Sequence, residues 1–248
     1  MIVLKSPQEI ATMREANRIL ALLFEHLGPM IQPGITTAEL DKEAELFIRS
    51  YGAVPAFKGY RGYPATLCTS VNEEVIHGIP SARRLQSGDI VSIDVGALHD
   101  GFYSDSARTY AVGEVSKKAL RLMEVTEKAL HEGISMAMAG NRLYDISSAI
   151  QKVVESAGYH VVREFVGHGI GRGLHEDPQV PNFGKKGTGP VLQEGMTLAI
   201  EPMVNEGTWK VAVLNDGWTA VTADRSLSAH FEHSIAITAN GPLVLSAL

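Results

Sequence analysis

The stretch Leu85–Asp94 reads LQSGDIVSID, and a second stretch, Leu192–Glu201, reads LQEGMTLAIE. Each contains the apolar run of a strand inside a sheet, and each ends on a carboxylate 107 residues from the other (positions 94 and 201). An unpaired buried charge costs free energy, so an acid in this place needs a partner. The recurrence therefore predicts two matching strands that bring two acids together.

Capping boxes begin two helices in the first half of the chain. Ser6–Glu9 has a capping serine, a proline at the first helical position and a glutamate at the third, and Thr36–Glu39 is a second capping box. Apolar residues at helical spacing follow each box, which predicts one helix ending at Gly28 and another ending at Gly52. In the second helix the pattern predicts that five residues face the core: Leu40, Ala44, Phe47, Ile48 and Tyr51.

The same order of elements returns after Val112. Helices are predicted at Lys117–Glu132 and Leu143–Ala157. Strands are predicted after them at Val161–Val166, Thr197–Ile200 and His233–Thr238. We therefore expect a single catalytic domain built of two related halves, about 1–112 and 113–248. Two such halves can share a mostly antiparallel sheet with helices outside, which is an α+β fold with a pseudo-twofold axis.

A hairpin in the first half places two acids on one face. Asp100-Gly101 is a two-residue turn signal, and with that turn Gly96 faces Asp105. Alternation along the strands then puts Asp94, Gly96 and Asp105 on the same face. Two carboxylates within side-chain reach repel each other, so they need a cation or a shared proton.

The second half supplies two counterpart acids, Glu201 and Glu232. Four carboxylates carry too much negative charge for a pair that shares one proton, and they suit two divalent cations about 3.5–4 Å apart. Oxygen ligands favour a hard or borderline metal. His168, which lies between two glycines, is the best candidate for one neutral imidazole ligand. Each residue alone is more often structural, so the prediction depends on the whole set.

Charge and cysteine content exclude several classes of protein. The 248 residues carry a net charge of −6, which leaves no basic footprint for nucleic acid. The one cysteine, Cys68, excludes an internal disulfide framework and suits a reducing compartment. The N-terminal sequence MIVLKSPQEI lacks the apolar core of a signal peptide, and no apolar run approaches a membrane span. We expect a cytoplasmic protein without nucleic-acid or membrane partners.

Six segments together resemble the type I methionine aminopeptidases, and the short bacterial type most closely. They are HGIP (77–80), GDIVSIDVG (88–96), DGFYSDSARTYAVG (100–113), GHGIGRGLHEDP (167–178), EPM (201–203) and FEHSIAIT (231–238). The resemblance implies the pita-bread fold, in which a curved, mostly antiparallel sheet has helices outside. It also implies a metal-dependent hydrolase that removes initiator methionine from nascent polypeptides by water attack on the first peptide bond, with a small second residue preferred.

The resemblance assigns roles to individual residues. It implies that five residues ligate two divalent ions of Co, Mn, Fe or Zn: Asp94, Asp105, His168, Glu201 and Glu232. His77 and His175 match the family's two active-site histidines that are not ligands. We expect His175 to stabilise the oxyanion at the scissile carbonyl, His77 to contact the scissile nitrogen, and Glu201 to take the proton of water. Alone, His175 could instead pair with Glu176, and His77 could be a turn residue.

The implied methionine pocket contains both histidines and six further residues: Phe57, Tyr60, Tyr63, Cys68, Leu174 and Trp218. Aromatic residues more often pack in a core, but Tyr60 and Tyr63 lie in a glycine-rich loop, where we expect them outside the core. Cys68 fits equally well as a small buried hydrophobe. Leu174 departs from the family pattern, which predicts an aromatic residue there.

Two alternative functions remain open from the sequence. One is a proline-directed peptidase of the same fold, the aminopeptidase P and prolidase group, whose members usually carry an additional N-terminal domain for which this chain has no room. The other is a non-catalytic protein that binds peptide, RNA or a protein, which the loss of a ligand residue would mark. All five ligand residues are present. We expect a monomer that acts on N-terminal Met-peptides and nascent chains, with the ribosome as a candidate contact.

Overall fold

Four helices pack against antiparallel sheets in the computed structural model, which describes residues 1–248. The helices are α1 (Pro7–Leu27), α2 (Thr37–Ser50), α3 (Lys117–Ser135) and α4 (Leu143–Ser156). The strands are β1 (Val54–Pro55), β2 (Leu67–Val71), β3 (Glu74–Ile76), β4 (Ile90–His99), β5 (Phe102–Ala111), β6 (His160–Val161), β7 (Gly167–Gly169), β8 (Glu176–Val180), β9 (Thr197–Ile200), β10 (Met203–Asn205), β11 (Val211–Val213), β12 (Ala220–Thr222), β13 (Ser228–His230), β14 (Glu232–Thr238) and β15 (Gly241–Val244). No helix has both the length and the apolar character needed to cross a membrane.

The first two helices begin where the capping boxes predict. The Ser6 hydroxyl accepts a hydrogen bond from the Glu9 backbone N–H, and the Glu9 carboxylate accepts one from the Ser6 backbone N–H. Thr36 caps α2 in the same way. The predicted inward face of α2 is wrong at Tyr51, which is 45% exposed because it lies at the C-cap, where the chain leaves the helix. Phe47 is half-buried, and the other three are fully buried: Leu40, Ala44 and Ile48.

The main sheet has nine strands in the order β1-β4-β5-β14-β9-β7-β8, with β2 also paired to β4 and β15 to β14. Its strands pair antiparallel throughout. The predicted hairpin register is confirmed, since Gly96 lies opposite Asp105 and Asp94 lies opposite Ala107. Ala107 also lies opposite Glu232 on β14, so two acids flank one alanine in a single row across three strands.

Two large hydrophobic clusters occupy the space between helices and sheets. One joins α1 and α2 to β2 and β4, and the other joins α3 and α4 to β9, β10 and β14. The turns before α2 and α4 match, because Gly34 and Gly140 have φ of 101° and 93°. Gly52 and Gly158, which follow the same two helices, have φ of 71° and 83°. These paired conformations agree with the predicted duplication at about residue 112, which stays a prediction.

One predicted strand, Val161–Val166, is wrong in extent. Only its first residue belongs to a strand, β6, because the exposed Arg163 and Glu164 interrupt the apolar run. The neighbouring strand β7 has just three residues, with His168 at its centre and an irregular register between His168 and Gly169. The predicted strands Thr197–Ile200 and His233–Thr238 are confirmed, the second with one additional residue at its start.

Candidate active site

Five elements of the main sheet direct the predicted ligands into one cavity of about 180 Å³. The residues come from β4, β5, β7, the end of β9 and the start of β14, and they are, in that order, Asp94, Asp105, His168, Glu201 and Glu232. Each is 2–6% exposed. The structure therefore brings together acids that lie about 100 residues or more apart in the sequence, as the repeated strand motif predicts.

Burial raises the pKa of all four carboxyl groups, and repulsion by neighbouring acids adds to the effect at Asp105, Glu201 and Glu232. Burial raises the pKa of Asp94 to about 7, although a hydrogen bond from the Cys68 thiol opposes the change. The pKa of Asp105 is raised by burial and then by the charges of Asp94 and Glu201. Burial is also the main cause for Glu201 and Glu232, followed by the charges of the neighbouring acids. Four such groups ionise together only when positive charge lies among them.

The donor atoms suit divalent cations. Three buried carboxylate oxygens have no hydrogen-bond partner: Asp94 Oδ1, Asp105 Oδ1 and Glu232 Oε1. His168 Nε2 lies 3.7 Å from Asp105 Oδ2 and 3.6 Å from Glu201 Oε1. Its Nδ1 lies 2.8 Å from the Gly169 carbonyl oxygen and donates a hydrogen bond to it. The lone pair of Nε2 is therefore free to bind a metal. Burial lowers the pKa of His168 to about 4, which keeps the ring neutral as ligation requires.

Hydroxyl side chains connect the backbone of the site residues on β5 to that on β14. Ser234 Oγ donates to the Asp105 carbonyl oxygen at 2.7 Å, and Ser106 Oγ donates to the Glu232 carbonyl oxygen at 2.8 Å. β5 and β14 share only two registered residue pairs, so these side chains extend a short backbone ladder.

His77 and His175 lie in the same cavity without touching the carboxylates as closely as His168 does. His77 follows β3 with a φ of 61°, a left-handed conformation uncommon for a residue with a side chain, and its ring meets the edges of Phe165 and Trp218. Burial, then the nearby His175, lowers the pKa of His77 to about 4. The backbone conformation is that of a turn, so the geometry accommodates both interpretations of His77.

The ring of His175 stacks on Tyr60, and its Nδ1 lies 2.9 Å from the Tyr60 hydroxyl oxygen. The alternative pairing of His175 with Glu176 is not present, because the Glu176 carboxylate instead pairs with Lys5. Burial, then the charge of Arg61, lowers the pKa of His175, so the imidazole is neutral near pH 7.

An apolar wall completes the cavity and contains the six further residues expected there: Phe57, Tyr60, Tyr63, Cys68, Leu174 and Trp218. The expectation that Tyr63 lies outside the core is wrong. Its side chain is buried, and its hydroxyl lies 2.9 Å from the Leu67 carbonyl oxygen, which fixes the ring as a rigid wall. Cys68 is buried, and burial followed by the charge of Asp94 raises the pKa of its thiol.

Sequence reasoning missed His230, whose Nε2 lies 3.8 Å from Glu201 Oε2. A signal existed, because His230 precedes Glu232 by two residues and alternation places such residues on one face of an extended chain. Four residues that line the cavity were also missed: Arg61, Ile76, Phe165 and Val166. Arg61 lies in the glycine-rich loop, and Phe165 and Val166 lie in the irregular 163–166 stretch, so neither segment carries a periodic pattern. Ile76 ends the three-residue strand β3, which is too short for alternation to identify its face.

The assembled site can hold two cations, polarise an amide and accommodate a short apolar side chain. The sequence profile of metallopeptidase family M24 matches residues 11–239. A methionine aminopeptidase from Clostridium perfringens is 55% identical to this chain over 248 residues, and the alignment covers all of both proteins. The crystal structure of methionine aminopeptidase from Thermotoga maritima is 49% identical, with a TM-score of 0.98 and all of both chains covered. This likeness confirms the predicted pita-bread fold.

Proline-directed relatives share the fold at greater distance. An Xaa-Pro dipeptidase from Bacillus anthracis is 27% identical with a TM-score of 0.77, and the match covers 98% of this chain but 61% of that one. The greater identity and the complete overlap therefore lie with the methionine aminopeptidases.

Proposed function

This chain belongs to metallopeptidase family M24, and we propose that it is a metal-dependent aminopeptidase that removes N-terminal methionine from polypeptides. One observation carries the proposal: a closed set of buried acids and an imidazole adjoins an apolar wall inside a single small cavity. A site of these dimensions takes one side chain and the bond beside it. The reaction is hydrolysis of the first peptide bond.

When bound, two divalent cations of Co, Mn, Fe or Zn would acidify a water molecule at neutral pH and polarise a carbonyl as Lewis acids. The five residues that would hold them are Asp94, Asp105, His168, Glu201 and Glu232. Glu201 is our choice for the group that accepts the proton of water, because its carboxylate lies among the ligands and its pKa is raised by burial.

His175 donates a hydrogen bond to the developing oxyanion in this proposal. The Tyr60 hydroxyl, 2.9 Å from Nδ1, donates to that nitrogen and so places the single proton of the neutral ring on Nε2. A neutral donor at a fixed position stabilises the charge that forms on the carbonyl oxygen. His77, whose ring contacts Phe165 and Trp218, would contact the scissile nitrogen.

The apolar wall favours methionine at the first position. An unbranched thioether adapts to an irregular apolar surface, and the wall offers aromatic faces, Leu174 and the neutral Cys68 thiol. A charged first residue would bury its charge without a partner there. A bulky second residue would crowd the space beside His77, so we propose a preference for small second residues.

Nascent polypeptides in the cytoplasm, at or near the ribosome, are the source of such N-termini in this proposal. The predicted ligands and both histidines come from one chain, so a monomer suffices for the complete site. The single catalytic domain with two related halves, 1–112 and 113–248, is part of the same proposal.

A panel of five peptides tests the proposed specificity. Metal-loaded protein should release methionine from Met-Ala-Ser, and should release little or nothing from Met-Lys-Ser and Lys-Ala-Ser. Norleucine in the first position should be accepted nearly as well as methionine, since apolar pockets discriminate similar chains by only about 1–3 kcal/mol. Release of arginine from Arg-Pro-Pro without release of methionine from Met-Ala-Ser would overturn the proposal in favour of a proline-directed peptidase.

A further inference from the structure

We propose that His230 is an additional metal ligand, which places a second imidazole on the Glu201 side of the dinuclear site. The inference rests on the metal site of the proposed function and extends it to a residue outside the five predicted ligands. His230 ends β13, next to the start of β14 where Glu232 lies.

The first support is the unsatisfied state of the ring. His230 is 1% exposed, and neither Nδ1 nor Nε2 has a hydrogen-bond partner. A buried polar group without a partner is costly, and most such groups in proteins are paired with another group or an ion. Metal coordination would satisfy one of these two nitrogens, which no neighbouring side chain does.

The second support is distance. Single donor atoms from Glu201, His230 and Glu232 all lie within 4.8 Å of one another. Ligands that share one ion at about 2.0–2.2 Å each lie at comparable separations. The Glu201 carboxylate lies between two imidazoles, with Oε1 at 3.6 Å from His168 Nε2 and Oε2 at 3.8 Å from His230 Nε2. A separation of 3.8 Å is too long for a direct hydrogen bond, which favours an ion between these groups over a simple contact.

The third support is the way the backbone holds His230 in place. Thr109 Oγ1 lies 2.8 Å from the His230 carbonyl oxygen and 3.0 Å from the His230 backbone nitrogen. Its partner Ser92 Oγ is 2.8 Å away, so the clasp is itself fixed. On the other side, His230 pairs with Met203 of β10. A main chain held from both sides fixes the point from which the imidazole extends towards Glu201.

The extra nitrogen would make the two cation positions unequal. Imidazole ligands favour Zn, Fe, Co and Ni over ions that prefer oxygen alone. Each of two ligand groups would then contain one imidazole, His168 with Asp105 and Glu232, and His230 with Glu201 and Glu232, whereas Asp94 offers oxygen alone. We expect the first ion to bind on the Glu201 side and to bind more tightly than the second.

Proton NMR of protein loaded with Co²⁺ tests the assignment. An imidazole bound to Co²⁺ through Nε2 shows a strongly shifted, exchangeable Nδ1–H resonance, so the wild-type protein should show two such signals. His230→Gln should leave one, and His168→Gln should leave one as well. His77→Gln is the matched control, since His77 lies in the same cavity outside the ligand set, and it should retain both signals.

The competing role for His230 is a hydrogen-bond donor that orients Glu201 without touching the ion. Titration calorimetry should show at least tenfold weaker binding of the first Co²⁺ in His230→Gln. Loss of an orienting partner also lowers metal affinity by 10–100-fold, so weaker binding fits both roles. The number of shifted Nδ1–H signals is therefore the measurement that separates them. A single signal in wild-type protein that binds two Co²⁺ ions would overturn the ligand assignment and leave the proposed function intact. That count needs no variant, so a folding defect in His230→Gln does not affect it. Wild-type protein that binds no Co²⁺ would overturn the proposed function itself.

Discussion

Asp94→Asn should stabilise the metal-free protein, although the same change removes a predicted metal ligand. Burial raises the pKa of Asp94 to about 7 from an ordinary value of 3.8. The folded protein therefore holds this proton more tightly than the unfolded chain does. The contribution of this proton to the stability of the fold is fully present below about pH 4 and is lost as the pH rises through 7. At 1.36 kcal/mol per pH unit, the difference corresponds to about 4 kcal/mol above pH 7. Asparagine is uncharged and nearly isosteric, so it avoids this loss.

Comparing the variant with wild type separates the effect of Asp94 on stability from that of the buried histidines, whose effect changes with pH in the opposite direction. Burial lowers the pKa of His77 and His168 to about 4, so they stabilise the fold above their ordinary pKa and cease to do so as the pH falls. Both proteins share this dependence, and it cancels in the difference. Without metal, the free energy of unfolding of Asp94→Asn should be greater than that of wild type by about 4 kcal/mol at pH 8 and by roughly 1–2 kcal/mol at pH 5. Below pH 4 the two free energies should be nearly equal.

Urea unfolding after chelation, followed by tryptophan fluorescence, measures these differences. Added metal should reverse the order of stability at pH 8, because a ligand that binds the folded state stabilises it by RT ln(1 + [L]/Kd) and the variant has lost part of the site. Equal stability of the two metal-free proteins from pH 4 to pH 8 would refute the argument that burial of Asp94 without a cation destabilises the fold.

Three further changes test separate parts of the site. Glu232→Gln should abolish turnover and lower the bound metal per chain, measured by elemental analysis; wild-type metal content together with full activity would exclude Glu232 as a ligand. His175→Ala should lower kcat at least about 100-fold with metal content unchanged, and a loss of metal instead would identify His175 as a ligand. Lys5→Met should lower the free energy of unfolding by about 3 kcal/mol, because it leaves the carboxylate of Glu176 unpaired beside the loop that carries His175. The double variant Lys5→Met with Glu176→Gln should regain most of that stability, and an undiminished loss in the double variant would show that packing of Lys5 matters more than its charge.

The parts of the fold that local chemistry determines could be predicted from the sequence. The turn at Asp100-Gly101 sets the hairpin register, and alternation then fixes which face carries Asp94 and Asp105, so this geometry needs no tertiary information. The capping box at Ser6 specifies a helix start for the same reason.

The parts that depend on packing could not be predicted in this way. Tyr63 is buried with its hydroxyl near two carbonyl oxygens, one at Leu67 and one at Gly78, which the fold brings back beside it. His230 belongs to a three-residue strand whose place beside Glu201 depends on pairing with β10, and no local signal specifies that pairing. The predicted strand at Val161–Val166 was too long, because a short apolar run cannot be distinguished from an irregular segment by periodicity alone, and the exposed Arg163 and Glu164 interrupt this one.

The serine hydroxyls at the junction of β5 and β14 have a consequence for how the site tolerates motion elsewhere. Each of the two strands holds the main chain of an acid in the other, through Ser234 to Asp105 and through Ser106 to Glu232. These reciprocal hydrogen bonds fix the separation of the two acids within the sheet itself. We therefore expect thermal motion of the outer helices to have little effect on the spacing of the carboxylates. Amide hydrogens beside these hydrogen bonds should exchange with solvent among the slowest in the protein, and surface helices can accumulate substitutions without changing the distance at which two cations are held.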